Sequence, residues 1–141
     1  MSKGKRIGTA FESHVVNYLT ERGVPCRRVA LAGAEDEGDI RSDDHSFILE
    51  CKAGKAAENA SHNQLAQWLV ETERERVHAS VPYAFLATKV AGKGSAQAGL
   101  WNVHISAEML NACWAANVPA GGYLTITLDT FISWWQGRPA H

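Results

Sequence analysis

Two short apolar runs separated by four turn-forming residues constrain this chain more than any other stretch of it. Asp39-Ile40-Arg41-Ser42 and Phe47-Ile48-Leu49-Glu50-Cys51-Lys52 flank Asp43-Asp44-His45-Ser46. β-Branched and aromatic residues on either side of a cluster of Asp, His and Ser predict a β-hairpin. Pairing Ser42 with Phe47 sets Arg41 opposite Ile48, Ile40 opposite Leu49 and Asp39 opposite Glu50. The two acids then become cross-strand neighbours with Cβ atoms roughly 4.5 to 5.5 Å apart. Lys52 lies two residues beyond Glu50, so the pleat puts it on the same face, while Ile40, Leu49 and Cys51 turn to the other face as core. Register decides everything here, because a slip of one residue sends Asp39 to the opposite side.

Like charges set opposite each other destabilise a sheet, and a bound cation is the simplest compensation. Two carboxylates, the main-chain carbonyl of Cys51 and water form an all-oxygen donor set. That set suits Mg²⁺, with Mn²⁺ as a substitute, and does not suit Zn²⁺. The plain alternative is a surface hairpin whose Asp, Glu and Lys are merely solvated.

Around the hairpin, helical and extended segments alternate. Phe11, Val15, Tyr18 and Leu19 form the apolar stripe of a helix over residues 7–22, ended by Gly23-Val24-Pro25, with Glu12 at the edge of the stripe. Residues 1–6, with Lys3, Lys5 and Arg6, read as a flexible basic arm. A strand is predicted over 26–31, then an acidic connection in which Asp36 is the rival of Asp39 as ligand and Glu37 an outer acid. Residues 53–57 read as a link. A long helix over 58–79 follows, with Leu65, Trp68, Leu69, Thr72 and Val77 on its buried side and Glu71, Glu73, Arg74, Glu75 and Arg76 outside. Strands at 81–88, 100–105 and 123–128, a helix at 107–117 and a last helix capped by Asp129 complete the chain. The order is α/β, a single domain over 1–141 with a mixed central β-sheet flanked by helices.

Composition limits the partners. With 141 residues, 45% hydrophobic and 21% charged, the chain is an ordinary globular one with a real core. A formal net charge of -1 means that any DNA-binding face must come from local clustering of basic residues. Lys89 and Lys93, in a glycine-bearing loop over 89–95, are the best candidates for such contacts, joined by Lys55 and Arg6. That loop lacks the phosphate-binding pattern of nucleotide hydrolases, so no nucleotide cofactor is expected. Three cysteines without C-x-x-C spacing argue against a disulfide framework and a zinc knuckle. No signal peptide or membrane-spanning run is read, and a soluble, cytoplasmic protein is expected. Five Trp, two adjacent at the C-terminus, suggest aromatic surface for a homodimer or for stacking on bases, with Trp68 and Trp101 in the core.

Gly8-Thr9-Ala10-Phe11-Glu12, then Gly38-Asp39-Ile40, then Glu50-Cys51-Lys52 before a long helix, resembles the PD-(D/E)XK nuclease superfamily. Within it the pattern is most similar to Holliday junction resolvase-like proteins of archaea and phages. The resemblance covers roughly residues 7–90. Gly38 stands where the motif's Pro would be, a departure that many resolvase-like members share. It implies a restriction-endonuclease-like core in αβββαβ order and a Mg²⁺-dependent endodeoxyribonuclease that resolves four-way junctions by paired phosphodiester hydrolysis, leaving 5′ phosphates and 3′ hydroxyls. By the same resemblance Asp39, Glu50 and Lys52 are catalytic, Glu12 completes the metal site directly or through water, and Gln64 is a polar residue near the metal. Branched DNA is the implied partner, and the two-fold symmetry of a junction suits a homodimer. The location would be host cytoplasm if the protein were phage-encoded. Another nuclease of this type, cutting flaps, ends or duplex, and a catalytically silent DNA-binding module are the alternatives.

Overall fold

The computed structural model describes residues 2–29 and 39–139. In chain order they form α1 (Lys3–Glu21), β1 (Cys26–Arg28), β2 (Ile40–Ser42), β3 (Phe47–Lys52), α2 (Lys55–Glu58), α3 (His62–Ala79), β4 (Tyr83–Thr88), a 3₁₀ segment (Ser95–Leu100), β5 (Asn102–Ser106), α4 (Ala107–Trp114), β6 (Tyr123–Thr127) and α5 (Leu128–Gln136). The strands make one mixed sheet in the order β1-β2-β3-β4-β5-β6. Only the β3–β4 pair is parallel. A parallel pair needs a long crossover, which α2 and α3 supply.

Helices cover both faces, so strand residues of both parities are buried. On one face Phe47, Leu49, Phe85, Val103 and Ile105 pack against Phe11, Val15 and Leu19 of α1 and against Phe131, Ile132 and Trp135 of α5. On the other, Ile48 and Ala84 meet Ala79 at the end of α3 and Val81 just beyond it. Trp135 is 5% exposed and sits edge-on to Phe47, Phe85 and Tyr83. Trp134 is half-buried and stacks on Trp114. Of the C-terminal Trp pair, Trp135 therefore fills the core and Trp134 flanks it.

Three local readings change. Helix α1 starts at Lys3 with the Ser2 hydroxyl accepting from the Lys5 amide at 3.2 Å, so Lys3, Lys5 and Arg6 ride on its first turns and not on a separate arm. The long helix starts at His62, where Ser61 is the better cap because its hydroxyl takes the Gln64 amide at 3.1 Å. Thr127, not Asp129, caps α5 by accepting from the Thr130 amide at 3.2 Å. Asp129 instead accepts a hydrogen bond from the Tyr18 hydroxyl, tying α5 to α1.

One polar seam crosses the α3-covered face. His104 on β5 is 2% exposed and bridges its neighbours, with Nε2 2.8 Å from Thr88 Oγ1 and Nδ1 2.8 Å from Thr125 Oγ1. Burial pulls its pKa down from 6.5 to about 4. Below pH 6.5 the unfolded chain takes up a proton that the folded one refuses, so this contribution to stability, complete above pH 6.5, is lost as the pH falls toward 4. The full loss is on the order of 3 kcal/mol. His104→Gln is expected to flatten the fall in stability between pH 6.5 and 4 in urea titrations; an unchanged pH slope would contradict the assignment.

Candidate active site

The acids gather at one end of the sheet because three chain directions meet there. Strand β3 ends at Lys52, β2 begins after Asp39, and β1, antiparallel to β2, ends at Arg28. The hairpin register is Ile40 opposite Leu49 and Arg41 opposite Ile48, which continues to Asp39 opposite Glu50. Asp39 Oδ2 accepts the Cys51 amide at 2.9 Å and Glu50 Oε1 reaches the same N–H at 3.3 Å. Both carboxylates therefore converge on one hydrogen, and their oxygens are no farther apart than those two distances together allow. In a strand the N–H and C=O of a residue leave on the same edge. The Cys51 carbonyl thus also faces the Asp39 side, whereas the Lys52 carbonyl points to β4 and accepts from Lys89 N at 3.2 Å.

Glu50 is 4% exposed, an unusual place for a carboxylate. Burial, then hydrogen bonding and charge repulsion with Asp39 and Glu75, push its carboxyl far above the ordinary range. Glu75, read from the sequence as part of a charged outer surface, is 8% exposed and on the face of α3 that Leu69, Thr72 and Ala79 bury. Val77, read as buried, is 59% exposed. The signal was present: steps of three from Leu69 through Thr72 reach 75, not 77.

Glu12 reaches the group from α1. Its side chain is only 17% exposed and its carboxyl is raised first by burial and then by the negative charge of Asp39. Arg28 Nε holds Glu12 Oε1 at 3.2 Å and is a member of the site that pattern reading did not single out. Lys52 shares the Glu50 face by parity and lies with Nζ 5.5 Å from the centre of the Trp68 ring on α3. Gln64 is half-buried one turn before Trp68 on the same helix. Cys51 turns its thiol away, and burial and then Asp39 push that thiol well up, so it is no nucleophile. Asp36, Glu37 and Gly38 lie outside the described residues.

Among the described residues, no three His, Cys, Asp or Glu side chains are gathered so as to enclose an ion by themselves. Two carboxylates with a main-chain carbonyl are a different kind of donor set. It fits an ion such as Mg²⁺, which keeps several waters and takes one or two carboxylates from a protein. Buried Glu50 and half-buried Asp39, which repel each other, are the groups that such an ion would relieve.

The surroundings are basic. Lys52 closes β3, Lys55 opens α2, Lys89 and Lys93 follow β4, and Lys3, Lys5 and Arg6 ride on the first turns of α1, whose middle carries Glu12; every lysine of the sequence is among these. Lys55 and Arg6 are exposed and Lys93 half-buried. Lys89 pairs with Glu58 of α2 at 3.7 Å, which anchors it beside the site. The Lys93 carbonyl accepts from Trp101 Nε1 at 2.8 Å, and Trp101 packs on Phe11, so the 89–95 loop is fastened to α1. Among the described residues, no helix is long and apolar enough to cross a membrane. Compared with protein-family models and with curated proteins, the chain finds no match.

Proposed function

We propose that this end of the sheet is the active centre of a metal-dependent DNA endonuclease of the PD-(D/E)XK type, with a restriction-endonuclease-like core. Its most specific form would be paired hydrolysis of four-way junctions by a homodimer in the cytoplasm. The observation that carries the reading is the convergence of Asp39 and Glu50 on the Cys51 amide, with Lys52 next along the same face.

In this reading Asp39, Glu50 and the Cys51 carbonyl hold Mg²⁺ or Mn²⁺, and Glu12 completes the shell directly or through water. Such an ion polarises a phosphodiester and eases loss of a proton from the attacking water. Lys52, one pleat beyond Glu50, places a positive charge where the pentacovalent oxygens develop charge, or donates a hydrogen bond that aligns the water. Trp68 limits where the Lys52 ammonium can swing. Arg28 keeps Glu12 from drifting toward solvent, and Gln64 adds a polar contact from α3. Lys55, Lys93 and Arg6 supply positive charge to flanking phosphates, with Lys89 beside them.

The discriminating assay uses labelled four-way junction, flap and duplex DNA with Mg²⁺ or EDTA. Mg²⁺-dependent symmetric nicks in the junction are the expected result. Cuts confined to flap or duplex would replace the junction assignment with another nuclease of this type. Shifted bands without cutting under any divalent ion would overturn the enzyme and leave a DNA-binding module.

A further inference from the structure

The sheet face that carries Glu50 and Lys52 continues past them as a polar floor. In-register partners share a face, so one row runs from Lys52 to Thr88 on β4, Asn102 on β5 and Thr127 on β6. A second row, one pleat lower, runs from Glu50 through Leu86 and His104 to Thr125. Tyr123, two residues before Thr125, lies on the same side. Both rows start buried, with Thr88 and His104 2% exposed, and open toward β6, where Tyr123 and Thr127 are half-buried and Thr125 is exposed. Three strand steps of about 4.8 Å carry the floor roughly 14 Å from the acids.

A merely solvated sheet margin would leave these side chains loose, whereas here they are held. His104 spends both ring nitrogens on the floor, Nε2 2.8 Å from Thr88 Oγ1 and Nδ1 2.8 Å from Thr125 Oγ1. A neutral imidazole donates through one nitrogen and accepts through the other, so one of the two threonines keeps its own O–H to give. The Tyr123 hydroxyl lies 2.6 Å from Nδ1 of His62, the first residue of α3, and its ring stands edge-on to His104. The ring is thereby fixed at both ends, with the start of α3 as the wall of the floor.

The chemistry of the floor selects its occupant. Strands β5 and β6, Asn102–Ser106 and Tyr123–Thr127, contain no Lys, Arg, Asp or Glu. Phosphates call for cations, which the lysines around the acids supply and this floor does not. Amide, hydroxyl and phenol groups suit neutral donors and acceptors with a ring face, which is what the edge and plane of a nucleobase offer. Inside a duplex the planes are stacked and the pairing edges are taken, so a base can use this floor only when it is unpaired.

We propose that this floor is a subsite for unpaired nucleotides next to the scissile phosphate, with Tyr123 as the ring on which a base stacks and Asn102 and Thr125 hydrogen-bonding base edges. The subsite rests on the nuclease reading and narrows its substrate. DNA with an open strand beside the cut is preferred over continuous duplex, as at the branch point of a flap or of a junction opened at its centre.

Fluorescence anisotropy in EDTA, where no cutting is expected, compares a blunt duplex with the same duplex ending in a fork of two single-stranded arms of about eight nucleotides. The intact chain is expected to bind the fork at least about tenfold more tightly. Tyr123→Leu and Thr125→Glu are each expected to reduce that preference at least about fivefold with unchanged far-ultraviolet circular dichroism, and Tyr123→Phe, which keeps the ring, to retain it. Val77→Glu, a charge added at a 59% exposed position near the other end of α3, is the control and should retain it too. Fork and duplex bound alike, or a preference untouched by Tyr123→Leu or by Thr125→Glu, would overturn the subsite. Incubating the same DNAs with Mg²⁺ separates the two failures: a chain that cuts without preferring the fork loses only the subsite, and one that does not cut loses the nuclease and the subsite with it.

Discussion

Asp39→Asn is expected to lower Mg²⁺-dependent DNA cutting by about three orders of magnitude, or roughly 4 kcal/mol of transition-state stabilisation, with the fold intact. The fold survives because the Asn carbonyl can still accept the Cys51 amide that Asp39 Oδ2 now accepts at 2.9 Å. What is lost is a negative charge, and with it one of two carboxylates that hold the ion. Lys52→Met is expected to cost about 10²-fold in rate, the scale of one removed stabilising donor, while leaving ion binding in place. Single-turnover cleavage separates the two. If either variant cut as fast as the original chain, its residue would be a solvated surface charge, as the bland reading of the hairpin has it.

The second large effect is on stability, and its sign follows from Glu50. Without a cation, burial, Asp39 and Glu75 hold the Glu50 carboxyl above its ordinary value of 4.5. A carboxyl raised on folding contributes stability that is complete below its unfolded pKa and is lost as the pH rises through the folded one. The ion-free protein should therefore weaken with rising pH from about 4.5 upward. Mg²⁺ at about 100 times its dissociation constant should restore about 2.7 kcal/mol, a rise in Tm of about 5–10 °C for a chain of this size. Glu50→Gln, which is neutral and nearly isosteric, should melt above the original chain at pH 8 in EDTA and gain nothing from Mg²⁺. Thermal melts with and without Mg²⁺ decide it, and a Glu50→Gln variant that gained as much from Mg²⁺ as the original would remove Glu50 from the site.

The hairpin was legible because its four-residue turn sets Ile40 opposite Leu49, and that register places Asp39 and Glu50 side by side. Glu12 was legible too, since an acid on the edge of an apolar stripe has few places to go. Glu75 was not. Hydrophobicity drew the stripe of α3 on to Val77, whereas the helix turns its register toward β3 and spends a buried position on a carboxylate. A pattern that equates charge with exposure fails wherever a charged side chain is kept inside for another charged group. Arg28 escaped for a related reason: its role is set by Glu12, sixteen residues away and on another element. The Trp residues pose the opposite difficulty. Composition marks aromatic excess but not depth, and the cluster of Phe47, Phe85, Phe131 and Trp135 shows where most of that aromatic surface goes.

Locating Mn²⁺ by its anomalous scattering in crystals of the protein asks the central question directly. A peak bounded by the carboxylates of residues 39 and 50 and the carbonyl of residue 51, absent from Glu50→Gln crystals grown alike, is the result this account predicts. Saturating Mn²⁺ with no density between those two carboxylates would contradict it.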